Sequence, residues 1–395
     1  MEKLIYMDNA ATTSTAPEVV SAMLPFFTEY YGNPSSVYNF AQKSKMAIEN
    51  AREIIADSIG AAKSNEIYFT GGGSESDNWA LKSAAFGLRN KGNHIITTKI
   101  EHHAILNTCA YLERNGFEVT YLDVDSEGFV SLEYVKNAIT DKTILISVMF
   151  ANNEIGTIEP VCKIGEIAHK HGILFHTDAV QAMCHVPINV TEMNIDLLSA
   201  SAHKFHGPKG VGFMYMKNSA KLEPFIHGGA QERARRAGTS NVPGIVGMGQ
   251  AIKLALCTLD KDTHTIINMR NYIIDRILGE IPDVTFDGPC IDANAVSAGS
   301  PAGSLKRLPS NMHFCFKDVS GDSLLIMLDM NGICASSGSA CAAGSIDPSH
   351  VLLAIGRSKG ETKGALRLSI DKNLTKEDAD YAIDALKAAV ARLRG

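Results

Sequence analysis

The chain has 395 residues and a formal net charge of −6, with 45% hydrophobic and 20% charged residues. These values are typical of globular domains, exclude a disordered, collagenous or coiled-coil protein, and give no reason to expect nucleic acid or a membrane surface as a partner. Eight cysteines without a Cys-x-x-Cys pair favour neither a disulfide scaffold nor a structural zinc site. The amino terminus is charged where a signal peptide would be apolar, and no run of about 18 apolar residues occurs, so we predict a soluble cytoplasmic protein without a metal.

Short apolar runs alternate with longer helical patterns between residues 66 and 216. The predicted strands are 66–70, 94–98, 118–122, 143–149, 173–177, 197–201 and 210–216, and the predicted helices between them include 76–89, 103–115 and 162–171. Apolar strands separated by helices indicate an α/β domain with a mostly parallel central sheet flanked by helices. Ligands of such sheets bind beyond the carboxyl ends of the strands.

The pattern changes after about residue 241, where strict alternation of strands and helices ends. Predicted helices are 243–261, 263–280, 320–330 and 375–393, and predicted strands lie near 284–286, 311–316 and 365–370. This mixture indicates a smaller α+β domain at the carboxyl-terminal end. We place the domain boundary within 250–265.

The first candidate site is the junction TGGGSESDN, which starts at Thr70. An apolar strand ends, three glycines follow, and a helix begins near Ser74. Glycines allow close approach of the backbone, and the free N–H groups of a helix start bind anions. A small phosphate is therefore one interpretation, and a tight turn with an N-cap serine is the other. The spacing does not match a nucleotide P-loop.

Three more junctions carry polar side chains directly after apolar runs. Asp178 could cap a helix or hold a heterocyclic ring nitrogen protonated. Lys204, next to His203 and a Gly-Pro turn, could be surface or a partly desolvated amine that forms Schiff bases. In EHHAILN, His102 or His103 could stack on a planar ligand or move a proton, or be structural.

A cysteine and an arginine complete the candidates. Cys341 lies in CASSGSACAAGS, whose small residues favour an accessible, reactive thiol, whereas Cys257 and Cys315 lie among large apolar residues typical of buried cysteines. Arg367 stands inside a strand pattern, which is costly unless its planar fork meets a carboxylate.

The ordered set of motifs closely resembles the cysteine desulfurases of the nitrogen-fixation and iron–sulfur-assembly type, within the class V aminotransferase group. The resemblance covers essentially the whole chain: MDNAATT, GNPSS, TGGGSESDN, EHHAILN, NNEIG, TDAVQ, SAHKFHGPKG, HGGAQERARRAGT, SSGSAC and the ALRLS arginine. It implies the pyridoxal-phosphate transferase fold of type I, with a large domain at 15–258 and a small domain formed by 1–14 and 259–395.

The resemblance also implies a role for each matching position. Lys204 would hold pyridoxal 5'-phosphate covalently, Asp178 would pair with the ring nitrogen, Gln181 would contact the phenolic oxygen and His102 would stack on the ring. The phosphate would be bound by Gly73, Ser74, Ser201, His203 and, from the second subunit of a homodimer, Thr239. Asn33, Asn153 and Arg367 would bind the substrate, and Cys341 would accept its sulfur.

The implied reaction converts L-cysteine to L-alanine and leaves a persulfide on Cys341, which passes sulfur to an acceptor such as an iron–sulfur scaffold. An aminotransferase or selenocysteine lyase with an incidental Cys341, and a non-catalytic relative, remain alternatives. Three departures from the commoner family pattern are the glycine run at 71–73, Cys334 seven residues before Cys341, and Asn39 in place of histidine. Cys334 could pack, resolve the persulfide or form a disulfide.

Overall fold

The fold is described from a computed structural model, for residues 4–220, 222–289, 305–338 and 348–395. The strands are β1 (Ile5–Tyr6), β2 (Ile67–Thr70), β3 (His94–Thr98), β4 (Glu118–Leu122), β5 (Thr143–Ser147), β6 (Leu174–Asp178), β7 (Leu197–Ser201), β8 (Gly212–Met216), β9 (Val284–Phe286), β10 (Asn311–Phe316), β11 (Ile333–Cys334) and β12 (Ala365–Ser369). The helices are α1 (Pro17–Met23), α2 (Pro25–Thr28), α3 (Asn39–Ser58), α4 (Gly73–Gly87), α5 (His103–Arg114), α6 (Leu132–Ala138), α7 (Val161–Lys170), α8 (Gln231–Ala234), α9 (Val242–Glu280), α10 (Gly321–Asp329), α11 (His350–Ala354) and α12 (Lys376–Arg394).

A seven-stranded sheet in the order β2-β8-β7-β6-β5-β3-β4 forms the centre of the molecule. Strand β8 is antiparallel to both neighbours, and the remaining neighbouring pairs are parallel. The carboxyl ends of β2, β7, β6, β5, β3 and β4 therefore lie at one edge, which positions the candidate site. The predicted α/β class is confirmed, and each predicted strand of this sheet agrees with the observed one to within two residues.

Both faces of the sheet are buried, because successive strand side chains point to opposite faces and helices cover each of them. On one face, Phe69 and Phe175 belong to a core shared with α3, α7 and the first part of α9. On the other face, Tyr68 belongs to a core shared with α4 and α5, in which Trp79 is fully buried. The continuous apolar runs of the strands follow from this double burial.

The carboxyl-terminal part contains the antiparallel sheet β12-β10-β9 and a parallel pair formed by β1 and β11. Its core, which includes Met7, Phe314 and Leu366, is shared with the last part of α9, α10 and α12. The mixed α+β pattern predicted after residue 241 is thus confirmed.

Helix α9 is one continuous element of 39 residues, so the prediction of two helices at 243–261 and 263–280 was wrong. The polar stretch around 258–265 resembles a break, but neither glycine nor proline interrupts it and the backbone hydrogen bonds continue. Its ends contribute to two different cores, and the exposed middle lies between them. Cys257 falls in this middle part and is exposed, contrary to prediction, whereas Cys315 is buried as predicted.

By length and composition alone α9 could also cross a membrane, although the sequence had given no such candidate. Part of this apolar stretch is buried in the protein, namely 44% of it, and the helix packs against α1, α3 and α12.

Candidate active site

The glycine turn at the end of β2 lies against β7 and β8 at the carboxyl edge of the sheet. Gly72 has a φ of 149°, which favours glycine, and Gly73 is the first residue of α4. A Cβ atom on Gly73 would lie 2.5 Å from Cγ2 of Val180, and one on Gly72 would lie 3.5 Å from Oγ of Ser201. The start of α4, with exposed Ser74, therefore opens beside Ser201, as an anion site at a helix N-terminus requires.

Asp178 is the last residue of β6 and is only 6% exposed. Its Oδ1 accepts a hydrogen bond from the backbone N–H of Val180 at 2.9 Å, so it closes a local turn. Burial raises the pKa of Asp178, and the nearby cation of Lys204 opposes that shift. A buried carboxylate at a strand end, close to a cation, can hold a proton on a heterocyclic nitrogen.

A series of buried polar side chains lies on the same face of the sheet as Asp178. His176, which belongs to it, precedes Asp178 by two residues in β6 and therefore points to the same face. The His176 ring lies 2.9 Å from Oγ of Ser147 and 3.0 Å from Oγ of Ser199, and its Nε2 is 3.8 Å from Oδ1 of Asp77. Burial lowers the pKa of His176 to about 3 and raises the pKa of Asp77 well above its usual value. These buried polar side chains were not predicted from the sequence, although a histidine two residues before Asp178 was the available signal.

Lys204 ends a 3-10 turn that directly follows β7. Its Nζ donates hydrogen bonds to the carbonyl oxygens of Ala10 at 2.7 Å and Ala11 at 2.8 Å. Gln181 donates to the same Ala10 carbonyl at 3.0 Å, so both side chains meet at the amino-terminal segment. The position of Lys204 at the end of a strand did not predict that the carbonyl oxygens of residues 10 and 11 would bind it.

Two histidines flank the lysine. His102 is the N-cap of α5, where its Nδ1 accepts from the Ala104 N–H at 3.1 Å, and burial together with nearby Lys204, His103 and His350 lowers its pKa to about 4. His203 lies 3.1 Å from the Thr12 hydroxyl, and burial with nearby Lys204 lowers its pKa to about 4. Both rings are therefore neutral at pH 7 and can stack or accept hydrogen bonds.

Arg367 and Asn153 lie next to each other. Arg367 Nη1 donates to the Asn153 carbonyl at 3.1 Å, and Nη2 donates to Asp8 Oδ1 at 2.7 Å. The guanidinium is 2% exposed, and its Nε has no hydrogen-bond partner among the residues that the structure describes. A buried donor without a partner is costly, so this atom is suited to an anionic ligand.

The remaining predicted residues do not join this group in the described part of the chain. Asn33 is exposed and its Oδ1 accepts from the Ser35 N–H at 3.0 Å. Thr239 is exposed, and no contact connects it to the residues above within the described ranges. Cys341 lies in 339–347, outside the described residues. The half-buried Cys334 is on β11, where burial raises the pKa of its thiol.

A cavity of about 400 Å³ lies beside the lysine. Its lining includes Lys204, Gln181 and Asn9, together with apolar residues of α9 such as Leu254.

The described residues also contain a cluster of metal-binding side-chain types in the carboxyl-terminal part, formed by Asp287, His313 and Cys315. His313 Nδ1 and Cys315 Sγ lie 2.9 and 3.3 Å from Asp287 Oδ2, and Arg357 donates to Asp287 Oδ1 at 2.6 Å. These are hydrogen-bond distances, and the arginine already balances the carboxylate charge, so hydrogen bonding accounts for the cluster.

The arrangement thus joins an amine, a buried carboxylate, neutral imidazoles and an anion site at one sheet edge, with an arginine nearby. The family model described as Aminotransferase class-V matches residues 5–382. "Cysteine desulfurase IscS" of Clostridium botulinum (strain Hall) is 55% identical, over 100% of this chain and 96% of its own, and the protein of the same description from Methanosarcina thermophila is 52% identical, over 99% and 93%.

Solved structures agree with the sequence relatives. A structure described as "NIFS-LIKE PROTEIN" has a TM-score of 0.89 at 35% identity and covers 99% of this chain and 100% of its own. One described as "SspA in complex with cysteine" has a TM-score of 0.79 at 38% identity, over 94% and 100%. The chain therefore belongs to the class-V aminotransferase family and, within it, to the cysteine desulfurases.

Proposed function

We propose that this enzyme binds pyridoxal 5'-phosphate and converts L-cysteine to L-alanine, with the sulfur transferred to Cys341 as a persulfide. The observation that carries the proposal is the meeting of Lys204, Asp178, His102 and the glycine turn at one edge of the sheet. When bound, pyridoxal phosphate supplies an electron-withdrawing ring that stabilises negative charge at the substrate Cα. Each part of that cofactor has a matching group in the chain.

The phosphate fits the start of α4. The N–H groups near Gly73 and Ser74 carry the partial positive charge of a helix N-terminus, and Ser201 and His203 add polar side chains. The close approach of Gly73 to Val180 leaves no space for a side chain, so glycine keeps this backbone accessible. Thr239 from a second copy of the chain would complete the site.

The ring fits between His102 and Asp178. The neutral His102 imidazole can stack on one face, and Asp178 can accept a hydrogen bond from a protonated ring nitrogen. Gln181 lies beside Lys204 through their shared contact with Ala10 and can reach the phenolic oxygen.

Lys204 supplies the amine that attaches the cofactor and later moves protons at the substrate. Two backbone carbonyls hold its ammonium group in the described structure, so its position is fixed before any ligand arrives. The amine acts as a base at the substrate only after it loses a proton.

Substrate binding is assigned to Arg367, Asn153 and Asn33. The cysteine carboxylate would be bound by Arg367, whose Nε lacks a partner within the described part of the chain, with Asn153 beside it. Cys341 then attacks the substrate sulfur as a thiolate. A sulfur–sulfur bond forms, the carbon–sulfur bond breaks with its electron pair on carbon, and that carbon takes up a proton to give alanine.

We propose a homodimer, with a sulfur-acceptor protein such as an iron–sulfur scaffold as a further partner and the cytoplasm as location. Large exposed apolar side chains between residues 20 and 46, including the adjacent rings of Tyr31 and Phe40, support a partner surface there. The described cysteines are free thiols, which suits a reducing compartment. We retain the domain division at 15–258 and at 1–14 with 259–395.

The experiment replaces Cys341 with serine and measures alanine and persulfide formed from cysteine. We expect Cys341→Ser to abolish both while the visible absorbance of the bound cofactor persists. The matched control is Cys257→Ser, because Cys257 is an exposed thiol in the middle part of α9. Undiminished alanine formation by Cys341→Ser would contradict the proposal and favour an aminotransferase or lyase without a cysteine nucleophile.

A further inference from the structure

The arginine assigned to the substrate carboxylate has a charged partner near the amino-terminal end of the chain. Nη2 of Arg367 donates to Asp8 Oδ1 at 2.7 Å, and the two side chains are 2% and 17% exposed. Asp8 belongs to the motif MDNAATT, and none of the proposed roles involves it. A hydrogen bond between two charged groups is stronger than one between neutral groups, so Asp8 restrains the guanidinium.

The hydrogen bonds of Arg367 leave part of its guanidinium available. Among the described residues, Nη1 donates to the carbonyls of Asn153 at 3.1 Å and Gly338 at 3.2 Å. Nη2 donates to Asp8, whereas Nε has no partner in that part of the chain. Nε and Nη2 form one edge of the planar group, and such an edge can bind a carboxylate through two parallel hydrogen bonds. Asp8 therefore helps to decide which edge faces the substrate.

Asp8 is fixed relative to the strand that carries Arg367. It forms a parallel bridge with Ser369, which lies two residues after Arg367 in β12. The Ser369 N–H donates to the Met7 carbonyl at 2.8 Å, and the Asn9 N–H donates to the Ser369 carbonyl at 3.2 Å. Backbone hydrogen bonds on both sides of Asp8 thus hold it in register with β12. Its carboxylate reaches Nη2 from a defined direction.

The same short segment reaches the amine assigned to the cofactor. The Asp8 carbonyl accepts from the Ala11 N–H at 3.0 Å, which closes a turn. The carbonyl oxygens of Ala10 and Ala11 accept from Lys204 Nζ at 2.7 and 2.8 Å. This turn therefore connects Arg367 with Lys204 through successive hydrogen bonds. The placement of both groups matters to the substrate, because its carboxylate and its amino group are attached to the same carbon atom.

Asp8 also changes the charge that a ligand meets at Arg367. Its carboxylate balances the guanidinium, so a bound substrate carboxylate would lie near one negative charge as well as one positive charge. Repulsion between the two carboxylates weakens binding, and it acts strongly in partly buried surroundings. Orientation and affinity therefore oppose each other, because the group that orients Arg367 also reduces its attraction for anions.

We propose that Asp8 is a positioning residue that orients Arg367 for the carboxylate of the amino-acid substrate and, by its own charge, weakens the binding of that carboxylate. This role rests on the proposed function of Arg367 and names the group through which that arginine is held. The reaction depends steeply on placement, and a shift of about 1 Å can cost about a hundredfold in rate. The product alanine carries the same carboxylate, so weaker binding also helps it to dissociate.

The test compares Asp8→Asn and Asp8→Ala in the full-length enzyme loaded with cofactor. Asparagine keeps an oxygen that can accept from Arg367 but removes the charge, whereas alanine removes both. Values of kcat and KM come from alanine formation, and the dissociation constant of L-alanine comes from the change in cofactor absorbance without cysteine. The matched control is Asp380→Asn, because Asp380 also accepts from an arginine, Arg276, at 2.7 Å and lies on α12.

We expect Asp8→Ala to lower kcat about tenfold or more, because the guanidinium loses its orientation while the cofactor stays bound. Asp8→Asn should keep kcat within about threefold of wild type, since its amide oxygen can still accept from Nη2. The same variant should bind L-alanine about three- to tenfold more tightly, because one negative charge is gone. Asp380→Asn should leave kcat, KM and the dissociation constant unchanged.

Equal kcat values for Asp8→Asn and Asp8→Ala would overturn the inference, because a retained acceptor should preserve the orientation. A dissociation constant of L-alanine that is the same for Asp8→Asn and Asp380→Asn would also overturn it, and this readout suffices if Asp8→Ala does not fold. Loss of cofactor absorbance in Asp8→Asn would overturn it too, since the residue would then support the fold. An unchanged KM in Arg367→Lys is a different outcome, which removes the proposed substrate site itself.

Discussion

Replacement of Arg367 by lysine tests the substrate site most directly. The guanidinium is 2% exposed and donates to the carbonyls of Asn153 and Gly338 and to the carboxylate of Asp8. Its Nε lacks a partner among residues 4–220, 222–289, 305–338 and 348–395. A lysine ammonium is a compact charge that cannot reproduce this planar fork. The substitution keeps the charge and removes the two-pronged geometry.

The expected magnitude follows from one lost charge-assisted hydrogen bond to the substrate carboxylate. Such a bond contributes about 1.5–3 kcal/mol, which corresponds to a rise of about 10- to 150-fold in KM for cysteine. Because Arg367 also holds Gly338, we expect kcat to fall as well, by a smaller factor.

The assay measures alanine formation over a range of cysteine concentrations, with cofactor absorbance as a check on the holoenzyme. Arg270→Lys is the matched control, because Arg270 is a buried arginine that donates to the Leu308 carbonyl and to Asn271 rather than to Asn153, Gly338 or Asp8. The reasoning is refuted if Arg367→Lys and the control have the same KM, since the arginine would then serve only packing.

Three further predictions concern the cofactor site and the core. Gly73→Ala places a methyl group 2.5 Å from Val180, and such overpacking costs about 1–3 kcal/mol. We therefore expect the affinity for the cofactor, measured by absorbance titration, to fall about 5- to 150-fold. Wild-type affinity would contradict the proposed phosphate site. Asp178→Asn removes the carboxylate proposed to pair with the ring nitrogen, so cofactor should still bind while alanine formation falls at least tenfold. Retained turnover would exclude the ring-nitrogen role. Burial raises the pKa of Glu159 to about 8, whereas its ordinary pKa is 4.5. Between these two pH values the folded protein keeps a proton that the unfolded chain has released. The free energy of unfolding therefore declines as the pH rises from 4.5 to about 8. In urea unfolding from pH 5 to pH 8, the free energy of unfolding of Glu159→Gln should decline less steeply than that of wild type, by about 1.4 kcal/mol per pH unit. Parallel curves for the two proteins would refute this prediction.

The sheet was predictable because most of its strands are buried on both faces. A continuous apolar run such as Thr143–Ser147 is stable in an α/β protein as a strand inside the sheet, and polar residues mark its two ends. Helix α9 was not predicted as one element, since its polar middle resembles a break. The middle of α9 lies between two cores. A sequence pattern does not show that the two ends of one helix pack into different cores.

Among the candidate residues, strand ends located Asp178 and Lys204, because the carboxyl edge of a parallel sheet is readable from the strands themselves. Ala10 and Ala11 were not predicted as partners of Lys204. Every residue type has a backbone carbonyl, so the sequence does not indicate which of them bind a side chain more than 190 positions away. Glu154 was likewise visible only as part of NNEIG, because its partner Ser349 is 195 positions distant.

The sequence by itself determined the α/β class, the order of the strands along the chain and the chemical types at the strand ends, because burial and turn chemistry act over a few residues. Only the tertiary structure decided which distant groups meet: the amino-terminal carbonyls with Lys204, the buried side chains of Asp77, His176 and Ser199 beside Asp178, and Glu154 with Ser349. Such contacts depend on how whole elements pack, and packing is settled by the shape of many side chains together rather than by any local pattern.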